Sequence, residues 1–109
     1  METIELKGRE YPLDWNFASE AFMEQAQGVL AQVGNIGKAA VMAVAALRGG
    51  DWLFDKNPDW VLAQIGKDGK KMDELSEKVL KVYNEFLEFN GYEQKLEGNP
   101  QAPVAGAQD

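Results

Sequence analysis

Nine consecutive apolar residues, Ala39–Leu47, constrain this chain more than any other stretch. Asn35 and Lys38 precede the run, and Arg48, Gly49 and Gly50 follow it. Five of the nine are alanine, the strongest helix former, so the run reads as helix. A helix with no polar face belongs in the interior of a structure. It falls well short of the roughly 20 apolar residues that a membrane-spanning helix needs. The expectation is a buried helix over about Ile36–Arg48 whose small side chains let neighbouring elements come close. Gly49-Gly50 is expected to end it, because glycine adopts the left-handed backbone that closes many helices.

The chain has 109 residues, enough for one domain around one core. Its 18 acidic and 11 basic residues give a formal charge of −7. That field repels phosphate, so neither nucleic acid nor an anionic membrane is an expected partner. Cysteine and histidine are both absent. Disulfides, thiolate catalysis and most zinc sites are excluded with them, as is the usual group that titrates near neutral pH. The opening Met1-Glu2-Thr3-Ile4-Glu5 lacks the basic start and apolar core of a secretory signal. A cytoplasmic location is expected.

Residues 2–15 alternate as a β-hairpin does, with Ile4, Leu6, Tyr11, Leu13 and Trp15 at every second position of two short runs. A two-residue loop at Lys7-Gly8 pairs Leu6 with Arg9, Ile4 with Tyr11 and Glu2 with Leu13. Ile4, Leu6, Tyr11 and Leu13 then share one face, as a half-buried hairpin requires. A three-residue loop would set Ile4 against Pro12 and scatter that face. The chosen register does oppose Glu5 and Glu10, a mildly unfavourable pair. Pro12 cannot donate to a ladder, so its strand pairs on one side only. A lone hairpin is marginal in water and must lie on the helices or on another sheet.

Helical periodicity takes over after Asn16, a good N-cap. A helix from Phe17 to about Val33 puts Phe22, Ala26, Val29, Leu30 and Val33 on one face, with Gly28 weakening it. Gly34-Asn35 breaks the chain before the central rod. Beyond that rod, Asp51–Lys56 is an aromatic-rich connection. Asn57-Pro58-Asp59 then combines a cap, a proline at the first helical position and an acid in the first turn, opening a short helix over Pro58–Ile65 that Gly66 stops. The last helix carries Met72, Leu75, Val79, Val82 and Phe86 at spacings of three and four, with Leu80, Tyr83, Leu87 and Phe89 widening the stripe. Glu74 with Lys78 and Glu77 with Lys81 stand as favourable i,i+4 pairs. Asn90-Gly91 ends it. The fold expected is α+β, an N-terminal hairpin packed on a bundle of about four helices. It forms a single domain over residues 1–93, with residues 94–109 as a flexible tail poor in anything to bury.

No constellation of catalytic residues stands out. Glu74, Glu77, Glu85 and Glu88 line the polar side of the last helix, but lysines interleave with them and carboxylate-bundle metal sites need a Glu-x-x-His partner. Ser19, Ser76 and Thr3 are the only hydroxyl residues besides tyrosine, and none has a base at a recognisable spacing. Gly34-x-x-Gly37-Lys38 falls short of a phosphate loop. No catalytic, cofactor-binding or metal-binding residues are therefore assigned. Lys67, Lys70 and Lys71 form one basic cluster, without the aromatic interleaving of a nucleic-acid surface. Trp52, Phe54 and Trp60 are the most informative set. Large aromatics here either close one end of the core or serve as anchors for a partner, where tryptophan is enriched. All three are hard to bury at once in so small a domain.

The stretch Ile4-Glu5-Leu6-Lys7-Gly8-Arg9-Glu10-Tyr11-Pro12-Leu13, followed by Asn16-Phe17-Ala18 opening a helix, resembles the tail assembly chaperones of long-tailed bacteriophages. These commonly begin with a hairpin of the form apolar-x-Leu-x-Gly-Arg/Lys-x-Tyr-Pro-Leu. An alanine-rich second helix, a capped short helix and a longer last helix are also similar, so the likeness spans about residues 4–89. The resemblance implies a non-enzymatic protein of the infected cell that coats the long helical tape measure protein and keeps it soluble until the tail tube forms around it. It also implies, for many members, a longer product made by ribosomal frameshifting, for which residues 94–109 would suit as the attachment point. It supplies no catalytic residues.

A chaperone of a helical client needs exposed apolar surface and enough net charge to stay in solution. Trp52, Phe54 and Trp60 are the expected partner-binding residues, with the hairpin edge as a second surface for a client or for self-association. Two other roles fit the same composition. One is an acidic regulatory or inhibitory protein that occupies a basic cleft, whose binding would be salt-sensitive. The other is a minor structural protein of the virion.

Overall fold

The computed structural model describes residues 1–91. The expected flexible tail, residues 94–109, lies outside them. Seven elements follow one another: strands β1 (Glu2–Leu6) and β2 (Arg9–Leu13), then helices α1 (Phe17–Gln25), α2 (Gln27–Leu30), α3 (Asn35–Gly50), α4 (Pro58–Ile65) and α5 (Gly69–Phe89). The architecture is α+β, an antiparallel hairpin on a helical bundle. Among the described residues no helix is long and apolar enough to cross a membrane.

Helix α3 is the shared neighbour, packing against α1, α2, α4, α5 and β2. Its alanines and valines from Ala43 to Ala46 have no exposed surface, and Ala40, Val41 and Leu47 are almost fully buried. Short side chains on every face allow this, because each lets a partner approach without a bulky residue between them.

The end of α3 departs from expectation. Gly49 and Gly50 do not stop the helix but are its last two residues, and Asp51 caps it. Their lack of a side chain serves a close approach instead. A Cβ at Gly49 would overlap the Asp14 carbonyl oxygen, and one at Gly50 would overlap that of Pro12. The backbone leaving β2 therefore lies directly on the helix end. Asp14 N–H donates to the Ala46 carbonyl at 3.1 Å, and Asn16 Nδ2 donates to the Gly49 carbonyl at 2.9 Å. Asn16 thus closes one helix while its Oδ1 accepts from Ala18 N–H to open α1. Buried Ser19 ties the same corner, its hydroxyl accepting from Asn16 N–H at 3.2 Å and lying 3.4 Å from the Asp14 carbonyl.

The hairpin forms in the expected register, Ile4 opposite Tyr11 and Leu6 opposite Arg9. Lys7 and Gly8 both have positive φ, 51° and 85°, the turn that matches the twist of two adjoining strands. Ile4, Leu6 and Leu13 are buried on the helical side. The Glu5–Glu10 opposition is relieved locally: Glu5 accepts from Gly8 N–H at 2.7 Å and lies 3.8 Å from Lys71. Helix α5 covers the outer side of β1. Lys78 Nζ donates to the Thr3 carbonyl at 2.7 Å, and Lys81 pairs with Glu2. Lys81 thereby leaves Glu77, its expected helical partner, whereas the Glu74–Lys78 pair forms at 3.3 Å.

Two other expectations need correction, the length of the first helix and the reach of the last apolar stripe. The helix expected over Phe17–Val33 breaks at Ala26, whose N–H is shared between the Phe22 and Met23 carbonyls. The break falls two residues before Gly28, where helix preference is weakest, and it leaves Val29 half exposed. Helix α5 starts at Gly69, capped by Asp68, whose Oδ1 accepts from Lys71 N–H. Lys71 is drawn to Glu74 at 3.1 Å and to Glu5, which accounts for a lysine in a turn that otherwise disfavours cations. Phe89 does not extend the buried stripe but is 90% exposed.

The glycine contacts give opposite expectations for one substitution. Gly28 has open space around a Cβ, so Gly28→Ala should stabilise by about 0.5–1 kcal/mol. Gly49→Ala should destabilise by about 1–3 kcal/mol despite the gain in helix preference, because the helix end must lift off the chain. Urea unfolding of both variants checks the signs.

Two surface carboxyls, Glu2 on β1 and Glu74 on α5, contribute to the acid response. Hydrogen bonds from Lys81 to Glu2, and from Lys71 and Lys78 to Glu74, hold both carboxyls below the usual carboxylate range. Such lowering contributes stability that is complete above the unfolded-state pKa and is lost as pH falls through the folded one. The melting temperature should therefore hold from neutrality to about pH 5 and fall below about pH 4. Glu2→Gln combined with Glu74→Gln should make that fall shallower.

Candidate functional site

The three aromatics singled out in the sequence separate in space. Phe54 is buried and Trp60 half-buried, and both pack edge-on against Tyr11 of the hairpin, with centroids 6.1 Å and 5.7 Å away. They also meet each other at 5.7 Å. This cluster closes one end of the core between β2 and α4. Trp52 stands apart from it, 77% exposed, beside Leu53 at 67%.

Local geometry explains the split. Asp51 Oδ1 accepts from Leu53 N–H at 3.0 Å, and the Asp51 carbonyl accepts from Phe54 N–H at 2.8 Å. The chain turns tightly over Asp51, which sends Phe54 back to the core and leaves Trp52 and Leu53 at the tip. Asn57 then caps α4 through Trp60 N–H at 2.9 Å. The tip is consequently hydrogen-bonded at both ends, and its two large apolar side chains project into solvent.

A second apolar surface was not visible in the sequence. Trp15, Phe17, Val82, Phe86 and Phe89 line a groove of about 410 Å³ where the start of α1 meets the end of α5. Phe17 is 68% exposed and stacks edge-on with Phe86 at 5.4 Å. Beneath them Trp15 is buried, donating from Nε1 to Glu20 at 2.7 Å and meeting Tyr83 edge-on at 4.8 Å. Burial, with Glu20 nearby, raises the Tyr83 phenol above its ordinary pKa, so it stays neutral. Phe17 and Phe89 both look like ordinary helix-end residues in sequence; the contact of Phe17 with Phe86 at the start of α1 brings them to one groove. Two further grooves of about 430 Å³ run along α3, one beside α1, α2 and α4 and one beside α5.

These surfaces can bury apolar side chains. Among the described residues no group of three or more carboxylates is placed to hold a metal ion. Family models, curated proteins and solved structures give no match to the chain.

The aromatic split predicts contrasting stabilities. Trp60→Ala should cost about 2–3 kcal/mol, since it removes a ring packed against two others. Trp52→Ser should stay within about 0.5 kcal/mol of the parent. Equilibrium urea unfolding, followed by far-ultraviolet circular dichroism, measures both.

Proposed function

We propose that this protein is a non-enzymatic binding protein that shields apolar surface on another chain, of the tail assembly chaperone type. In this reading its client is a phage tape measure protein, held soluble in the cytoplasm of the infected cell until the tail is built. One observation carries the binding role: Trp52 and Leu53 stand exposed on a turn closed by two hydrogen bonds to Asp51 and anchored by buried Phe54. Burying such a pair against a partner costs little ordering of the loop, which is how preformed aromatic sites gain affinity. The net charge of −7 supports the same role by keeping a protein with exposed aromatics dispersed. The hairpin motif at Ile4–Leu13 supports the specific client.

Within this role Phe54 and Trp60 act beneath the surface, fixing the turn from below, and Trp52 makes the contact. Co-expression with the tape measure protein of the same phage should raise the soluble fraction of that client several-fold. Trp52→Ser should abolish the gain with the variant itself still folded. Binding through apolar contact should persist at about 1 M salt, where exposed charge pairs are screened within about 3 Å. A client equally insoluble with and without the protein would end the reading.

A further inference from the structure

The groove between α1 and α5 has a chemistry that the exposed tip lacks. Its walls are Trp15, Phe17, Val82, Phe86 and Phe89, and its polar residues are Asp14, Asn16, Glu85 and Asn90. Both amides are used by the protein's own backbone. Asn16 Nδ2 donates to the Gly49 carbonyl and Asn90 Nδ2 to the Phe86 carbonyl, each at 2.9 Å. What remains on the rim is two exposed carboxylates, Asp14 and Glu85. Neither takes part in an ion pair among the described residues, and no lysine or arginine lines the groove. Lys81 lies one turn before Glu85 and feels its charge, but its hydrogen bond goes to Glu2. An apolar trough with only negative charge at its edge selects its occupant by charge complementarity.

We infer that this groove docks a basic amphipathic helix from a partner. The partner sets apolar side chains on the exposed rings of Phe17 and Phe89, above the buried Phe86, and lysines or arginines beside Asp14 and Glu85. Such a helix presents apolar and cationic residues at i, i+3 and i+4, the spacing by which helices fill grooves. The inference rests on the binding-protein reading and adds to the salt-tolerant contact at the Trp52 tip a second contact that is charge-selected.

The test uses the full chain and a fluorescein-labelled Leu/Lys amphipathic peptide of about 18 residues, long enough to hold a helix. Two controls accompany it, one of the same composition in scrambled order and one with glutamate in place of lysine. Anisotropy titrations should show the patterned Leu/Lys peptide binding at least tenfold more tightly than either control. Phe17→Ser and Glu85→Lys, both at exposed positions, should each weaken it about tenfold with the variant still fully folded at the assay temperature, as circular dichroism checks. Three results would overturn the proposal. One is binding that ignores peptide pattern or either substitution. Another is tenfold tighter binding after Tyr92→Ser with Leu96→Ser, which would give the groove to this chain's own residues. The third is a concentration-dependent dimer lost on Phe17→Ser, which would give it to a second copy. If Phe17→Ser leaves peptide binding intact while Trp52→Ser still abolishes client solubility, the groove proposal falls and the client reading stands.

Discussion

Everything in this fold depends on how closely the chain leaving the hairpin lies against the end of α3. Gly49 and Gly50 present bare backbone to the carbonyls of Pro12 and Asp14, and Asn16 and Asp14 return hydrogen bonds to the helix. That single contact sets where β2 ends and where α1 begins. It also carries Trp15 under the start of α1 and leads directly into the turn over Asp51. The exposed tip and the α1–α5 groove are therefore both extensions of one backbone junction. A loosened junction would disturb both surfaces together, although neither contains a glycine.

How much of this was legible depends on whether the deciding partner lies nearby in sequence. The hairpin register was readable because a period of two and a two-residue loop leave one solution that keeps Ile4, Leu6 and Leu13 on one face. The interior of α3 was readable because a run without polar residues has only one place to go. The role of Gly49-Gly50 was not, since glycine at a helix end has the same appearance whether it reverses the chain or admits a neighbour. The neighbour here lies more than thirty positions earlier. Lys81 illustrates the same limit: Glu77 is its nearest partner along the helix, and Glu2 claims it from the far end of the domain.

The aromatic residues make the point for function. Trp52 and Phe54 are two positions apart in one polar-flanked loop, and composition gives no means of ranking them. The turn made by Asp51 decides between them, placing one ring in solvent and the other against Tyr11. Phe17 and Phe89 form a shared surface because the first residue of α1 meets Phe86 near the end of α5, an arrangement with no local signature. Pattern told which residues are greasy; tertiary packing told which ones remain available.

The β1 edge is closed late. The Thr3 carbonyl and the Glu2 side chain meet their lysines 75 and 79 positions further along the chain. At translation rates of about 5–20 residues per second, that separation corresponds to roughly 4–16 s of synthesis. Until α5 is made, the outer edge of β1 lacks these lysine partners, and an open strand edge is the feature most prone to pairing with another chain. The part of the chain that begins the domain thus depends for its outer edge on the helix that comes last among the described elements.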